Sequence, residues 1–145
     1  MVSRLRAVRI ALGSDEVVPL VDHLRDELGR RGHTVVDASL GDAWPDVGHR
    51  VGEVVAAGQA DLGVVCCWTG TGVSIAANKV PGVRAALCTD AATADGARRW
   101  NDANVLALSL RLTSDALATE ILDAFLNGDP DATEADVIAT VEGRR

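Results

Sequence analysis

Leu62-Gly63-Val64-Val65-Cys66-Cys67-Trp68-Thr69-Gly70-Thr71-Gly72 starts as an unbroken apolar run and ends in a loop of small and hydroxylated residues. A strand with one wet face would alternate apolar and polar positions. Continuous apolarity instead fits a parallel strand covered on both faces. The Thr/Gly turn then feeds a helical segment over residues 73–79. Such a strand needs parallel neighbours, so strand-length and helix-length segments should alternate along the chain.

They do. Val8-Arg9-Ile10-Ala11-Leu12 reads as a first strand, ended by Gly13-Ser14-Asp15. Val17, Leu20, Val21, Leu24 and Leu28 then form the stripe of an amphipathic helix that stops between residues 29 and 32. Thr34-Val35-Val36-Asp37-Ala38 is a second strand. A loop with Gly41, Trp44 and Pro45 leads to a helix over about 46–57, with Val47, Val51, Val54 and Val55 inside. A fourth strand over 83–87, a helix over 91–100 and a fifth strand over 105–108 follow. Leu117, Ile121, Leu122 and Phe125 mark a long helix, and a last helix over about 131–142 begins after Pro130, where Asp131 and Glu134 have capping-box spacing. The pattern predicts one domain over residues 1–145: a three-layer α/β/α Rossmann-like fold around a five-stranded parallel sheet. The C-terminal helix is expected to be available for packing on a partner subunit.

Composition narrows the function classes. The 145 residues carry 14 Lys and Arg against 21 Asp and Glu, a net charge of −7, and 48% are hydrophobic, which excludes disorder. The acidic balance argues against a nucleic-acid partner, and the longest basic clusters are only the pairs Arg30-Arg31, Arg98-Arg99 and Arg144-Arg145. No apolar run approaches the roughly 20 residues that cross a bilayer. The basic N-terminal residues 1–6 lack the apolar stretch of a signal peptide. Cys66, Cys67 and Cys88 make neither a disulfide framework nor, without a complementary Cys or His pair, a metal motif. A cytoplasmic protein is expected. Aromatic residues are scarce: no Tyr, Phe125, and Trp44, Trp68 and Trp100. The core must therefore be built from Ala, Val, Leu and Ile.

Ligands of open α/β sheets bind beyond the carboxyl ends of the strands. Three segments should converge there: Gly13-Ser14-Asp15-Glu16, Cys67 to Gly72, and Cys88-Thr89-Asp90. The glycines of the second let backbone N–H groups turn toward a ligand, and the following helix N-terminus adds partial positive charge. Such a loop holds a phosphate or a developing oxyanion; it lacks the Gly-Lys-Ser/Thr ending of a P-loop. Cys67, at a strand end before a helix N-terminus, sits where thiolate is favoured and can act as nucleophile or base. Its other reading is a small buried hydrophobe, the reading that Cys66 and Cys88 receive outright. Strand alternation points Cys66 away from Cys67. His23, His33 and His49 lack ligand spacing and read as solvated.

Residues 67–79 (Cys-Trp-Thr-Gly-Thr-Gly-Val-Ser-Ile-Ala-Ala-Asn-Lys), 82–88 and 101–108 closely resemble the type B ribose-5-phosphate isomerases. That family also includes the galactose-6-phosphate isomerase subunits. Gly13-Ser14-Asp15 resembles its Gly-Ser-Asp-His opening and Trp44-Pro45-Asp46 its Tyr-Pro-Asp loop, so the resemblance runs over about residues 8–126. It implies an aldose–ketose isomerase without metal or organic cofactor. By the same resemblance Cys67 is the base that moves a proton through a cis-enediolate. Residues 68–72 supply N–H groups to the oxyanion, and Thr69 is a hydroxyl partner in ring opening or a turn residue. Some members carry a glutamate base in this loop; the matching position is Val73. Family members are dimers or tetramers with sites shared between subunits, which predicts a homodimer or homotetramer with shared sites here. The substrate-binding set implied is Asp15, Glu16, Trp44, Trp68, Gly70, Thr71, Gly72, Trp100, Asn101 and Arg111. Asp15 could equally cap a helix, and Asn101 could tie down its loop.

The departures redirect the expectation. The family's first His is Glu16, its ring-opening His is Trp100, its loop Tyr is Trp44, and the residue after the base, usually Gly, is Trp68. Indole has no proton to exchange at neutral pH. Where the family has a basic phosphate-binding pair, residues 128–136 carry Asp129, Asp131, Glu134 and Asp136. A substrate other than ribose 5-phosphate is predicted, one lacking phosphate or already open-chain, such as a tetrulose derivative. The three indoles either stack on that substrate or pack a reshaped pocket. The alternative is a non-catalytic small-molecule-binding or assembly protein on the same fold.

Overall fold

In the computed structural model, which describes residues 6–143, the apolar run forms β3 (Leu62–Cys67), the middle strand of a five-stranded parallel sheet. Its neighbours are β1 (Arg9–Ser14) and β5 (Val105–Ser109), while β2 (Thr34–Leu40) and β4 (Ala85–Leu87) form the edges, in the order β2-β1-β3-β5-β4. The helices are α1 (Pro19–Arg30), α2 (Trp44–Ala56), α3 (Thr71–Asn78), α4 (Ala91–Asn101) and α5 (Asp115–Asn127); a 3-10 turn (Ala132–Glu134) leads into α6 (Ala135–Gly143). This is the α/β/α architecture that the alternation predicts.

Period-two alternation divides the sheet between two cores. Ile10, Leu12, Val64, Cys66, Leu106 and Leu108 pack with residues of α1, α4 and α5, whereas Ala11, Val65, Cys67, Val105 and Ala107 pack with residues of α2 and α3. Cys66 and Cys67 thus face opposite layers, as expected. Phe125 is the one aromatic ring in the core, and all three tryptophans are exposed. The α2–α3 layer is thin because its helices touch through glycine: a Cβ on Gly48 would lie 2.5 Å from the Ala76 Cβ and 2.8 Å from the Val73 carbonyl oxygen. No helix among the described residues is long and apolar enough to cross a membrane.

Several boundaries differ from the sequence reading, each for a local reason. Val17 lies outside α1 and is exposed, because Pro19 begins the helix with a fixed φ and no N–H to satisfy. Trp44 is the first residue of α2, not part of a preceding loop. β4 is shorter than 83–87: the Arg84 N–H donates to the Asn104 side chain at 2.7 Å instead of to a strand. The outer edge of β4 is capped by the Asn78 amide, which donates to the Ala85 carbonyl (3.0 Å) and accepts from its N–H (2.7 Å). The terminal helix, predicted from about 131, opens as the 3-10 turn, with the Asp131 carboxylate accepting from the Thr133 N–H. α6 leaves Val137 and Val141 exposed and is tied to the body by the Arg84–Glu142 pair at 3.1 Å. The basic N-terminal residues 1–5 and the Arg144-Arg145 pair lie outside the described residues.

His33 corrects the expectation of a solvated histidine, since it is only 6% exposed. Its Nδ1 accepts from the Val8 N–H at 3.2 Å, so Nε2 carries the proton and, among the described residues, has no partner. Burial, and then Arg31, push its pKa below the usual 6.5. The unfolded chain therefore takes up this proton before the folded one does, and the stability contribution present above pH 6.5 is lost as the pH falls. Urea unfolding midpoints should drop as wild-type protein is acidified below that pH, with a flatter profile in His33→Gln. Separately, Gly48→Ala should cost about 1–3 kcal/mol through overpacking at the α2–α3 contact, read as a lower urea midpoint.

Candidate active site

The chain leaves β1 toward β2 on one side of the sheet and places β3, β5 and β4 on the other. The crevice at this switch point lies beyond the carboxyl ends of β1 and β3. Ser14 and Cys66 are register partners, and the Asp15 N–H donates to the Cys66 carbonyl at 3.3 Å. Asp15 and Cys67 therefore leave the sheet side by side. The Ser14 hydroxyl donates to the Glu16 carbonyl at 2.6 Å and folds the turn that exposes Glu16. The Asp15 Oδ1 is buried and, among the described residues, has no hydrogen-bond partner. A buried carboxylate oxygen without a donor is costly, and such groups call for an explanation at a ligand site.

The loop after β3 is held in one conformation. Gly70 adopts φ 79° ahead of α3, and a Cβ there would lie 2.6 Å from Leu87 Cδ1 and 2.9 Å from the Leu108 carbonyl carbon. Only glycine meets both the backbone and the space requirement. A Cβ on Gly72 would lie 2.8 Å from Trp44 Cε3, so the Trp44 indole covers the first turn of α3. Thr69 and Thr71 share a hydroxyl hydrogen bond of 2.8 Å. The first-turn N–H groups of α3 have no intrahelical acceptor and carry the positive end of its dipole. Arg111, which is exposed, joins this end through its backbone: its N–H donates to the Trp68 carbonyl at 3.1 Å.

Cys67 is 5% exposed at the end of β3. The other thiols are more enclosed: burial pushes Cys66 up to about 12 and Cys88 to about 11, so both stay protonated at neutral pH. Among the described residues no three of His, Cys, Asp and Glu gather as a metal site would need.

One end of the sheet thus brings together Asp15, Glu16, Trp44, Cys67, Trp68, Thr69, Gly70, Thr71, Gly72 and Arg111. Trp100 and Asn101 are not with them. They end α4, before β5 begins, and in the β3–β5 register Val105 pairs with Gly63 whereas Ser109 pairs with Cys67. That places them at the amino ends of the strands, more than about 13 Å from Cys67 by strand rise alone. There the Trp100 ring lies on Gly96, with the Arg99 guanidinium 5.2 Å from its centroid. It borders a cleft of about 600 Å³ shared with Lys79, Arg84, Asn101, Val137 and Val141. The acidic turn packs nearby, the Asp131 N–H donating to the Arg99 carbonyl at 2.8 Å.

Sequence reasoning missed Ser109. Ser109 is 4% exposed, and its hydroxyl donates to the Trp68 carbonyl at 2.9 Å, beside the end of β3 that carries Cys67. The signal was a polar residue closing an otherwise apolar strand.

The sequence profile of the family described as Ribose/Galactose Isomerase matches residues 10–140. The galactose-6-phosphate isomerase subunit LacB of Clostridium acetobutylicum is 43% identical over 122 residues, covering 81% of this chain and 70% of that one. A D-erythrulose-4-phosphate isomerase of Pectobacterium atrosepticum is 37% identical over 126 residues, 83% of each chain. The solved ribose-5-phosphate isomerase B of Clostridium thermocellum superposes with a TM-score of 0.88 at 38% identity, covering 93% of this chain and 95% of that one. By sequence profile, by identity along most of its length and by fold, the chain belongs to the ribose/galactose isomerase family.

Proposed function

We propose that the protein is an aldose–ketose isomerase that moves a proton between adjacent carbons of a short, open-chain sugar or sugar phosphate, with Cys67 as base. The observation that carries this reading is the buried, unpartnered Asp15 Oδ1 beside Cys67 and next to a loop of free N–H groups. A hydroxyl acceptor, a base and oxyanion donors are what enediolate chemistry requires. Cys67 as thiolate takes the proton from the carbon next to the carbonyl. The negative charge moves to the carbonyl oxygen and is held by N–H groups of residues 69–72. The hydroxyl proton passes to the former carbonyl oxygen, directly between the two neighbouring oxygens of the cis-enediolate. The Cys67 thiol returns the other proton to the former carbonyl carbon and becomes thiolate again, while Asp15 accepts a hydrogen bond from a substrate hydroxyl.

The preference for an open-chain substrate follows from Trp100 in place of a titrating side chain suited to ring opening, since indole has no proton to exchange at neutral pH. A tetrulose phosphorylated on its last hydroxyl has no hydroxyl left to close a five-membered ring, and one relative is named for such a substrate. The acidic turn of residues 128–136 disfavours phosphate at the α4 end of a second copy, and Arg111 stands as a cation at the Cys67 end, next to the Trp68 carbonyl.

Trp100 and Asn101 enter the same chemistry in a homodimer or homotetramer, where a second copy brings its α4 end to the Cys67 crevice. Their distance from Cys67 within one chain, the exposed indoles and the unburied valines of α6 support this arrangement.

Deuterium uptake next to the carbonyl, measured by NMR in heavy water on a panel of tetroses, pentoses and their phosphates, tests the reading. Uptake is expected with short open-chain members, reduced about a thousandfold in Cys67→Ala and about ten- to a hundredfold in Asp15→Asn. No uptake across the panel, or full uptake in Cys67→Ala, would falsify it. The shared site has its own test: co-refolding inactive Cys67→Ala with inactive Asn101→Ala should restore about a quarter of wild-type activity, because half the dimers then hold one intact site of two. Absence of any rescue excludes sharing.

A further inference from the structure

The geometry points to Ser109 as a positioning residue that sets the aim of the oxyanion loop and couples it to the loop carrying Arg111, an inference that rests on the isomerase reading above. Ser109 ends β5 as the register partner of Cys67. The four preceding residues of its strand are all fully buried and apolar, so a hydroxyl here is costly unless both its donor and its acceptor capacities are met. Both are. The hydroxyl donates to the Trp68 carbonyl at 2.9 Å and accepts from the Leu112 N–H at 3.2 Å. One side chain thus bridges the main chains of the β3–α3 and β5–α5 loops.

The bridge controls direction. The Trp68 carbonyl also accepts from the Arg111 N–H at 3.1 Å, so its oxygen is drawn to the end of β5 by two donors. No cis peptide bond is present among the described residues, and in a trans peptide the N–H points opposite to its carbonyl. Pinning the Trp68 oxygen toward β5 therefore aims the Thr69 N–H away from β5, on the side where Cys67 and Asp15 leave the sheet. The preceding Cys67 carbonyl is fixed the same way by the Leu110 N–H at 2.9 Å. Without the Ser109 hydroxyl, the Trp68 carbonyl keeps one donor and the Leu112 N–H loses its acceptor. The peptide is then free to rock, and the N–H groups lose the preorganisation on which oxyanion stabilisation depends. Ser109 touches no substrate; it acts through Trp68 and Leu112.

Steady-state kinetics and thermal unfolding of the full chain, using the substrate found in the exchange panel, test this inference. Ser109→Ala is expected to lower kcat about tenfold or more, with KM within about twofold and the unfolding midpoint nearly unchanged. Ser109→Thr, which keeps the hydroxyl, should recover most of kcat. Wild-type kcat in Ser109→Ala overturns the inference, as does a loss of rate that merely tracks loss of folded protein. If Ser109→Ala does not fold, Ser109→Cys, a weaker donor of similar size, carries the same expectation and the same overturning result. An inactive wild-type protein overturns the isomerase reading and this inference together, whereas an active one with unaffected variants overturns this inference alone.

Discussion

Parallel pairing of β3 with β1 on one flank and β5 on the other leaves the strand without an edge, so every main-chain group must find a partner where the chain departs. At the carboxyl end that demand is met by neighbours at or just beyond the end of the ladder. The Asp15 N–H takes the Cys66 carbonyl, the Leu110 N–H takes that of Cys67, and the Arg111 N–H and Ser109 hydroxyl take that of Trp68. The sheet is thereby extended into the loops. Cys67 is held in place from both sides, and the following turn is left with a single workable path through Gly70, where a side chain has neither the dihedral angle nor the room.

This scaffold is what allows the pocket to diverge without loss of the core. Two of the three tryptophans lie on glycines, not in the aliphatic interior: Trp44 on Gly72 and Trp100 on Gly96. Large rings at such places leave the two cores on either side of the sheet as they are. The acidic segment near α6 has a local use as well, since Asp131 caps the 3-10 turn and its N–H anchors that turn to the end of α4. Charges that would repel a phosphate are here part of a turn.

Much of the fold was legible because β3 is apolar throughout, β5 is apolar up to its last residue, and the helices between strands keep a regular stripe. The errors fall where local patterns compete with tertiary demands. Pro19 delays α1 past Val17; the Asn78 and Asn104 side chains substitute for strand pairing and shorten β4; His33 is buried because the Val8 N–H needs an acceptor at the edge of the core. The Asn104 and His33 contacts cannot be read from spacing, because their partners Arg84 and Val8 lie 20 and 25 positions away. The candidate site divides in the same way. Cys67, its loop and Asp15 were legible as strand ends followed by Gly, Thr and Asp. Ser109 was not, since its hydroxyl has meaning only beside Trp68.

Periodicity and the Cys67–Gly72 loop were sufficient to establish a parallel α/β sheet and to mark the carboxyl end of its middle strand as the candidate site. The reason is that apolar runs and glycines act over a few residues, within the range that sequence order preserves. Folding in three dimensions decided the strand order, the separation of Trp100 and Asn101 from Cys67, the unpartnered oxygen of Asp15 and the bridge made by Ser109. Each of these depends on which chain segments lie side by side, and parallel pairing joins residues some forty positions apart (Cys67 with Ser109). Local sequence does not encode that adjacency; only the packed sheet does.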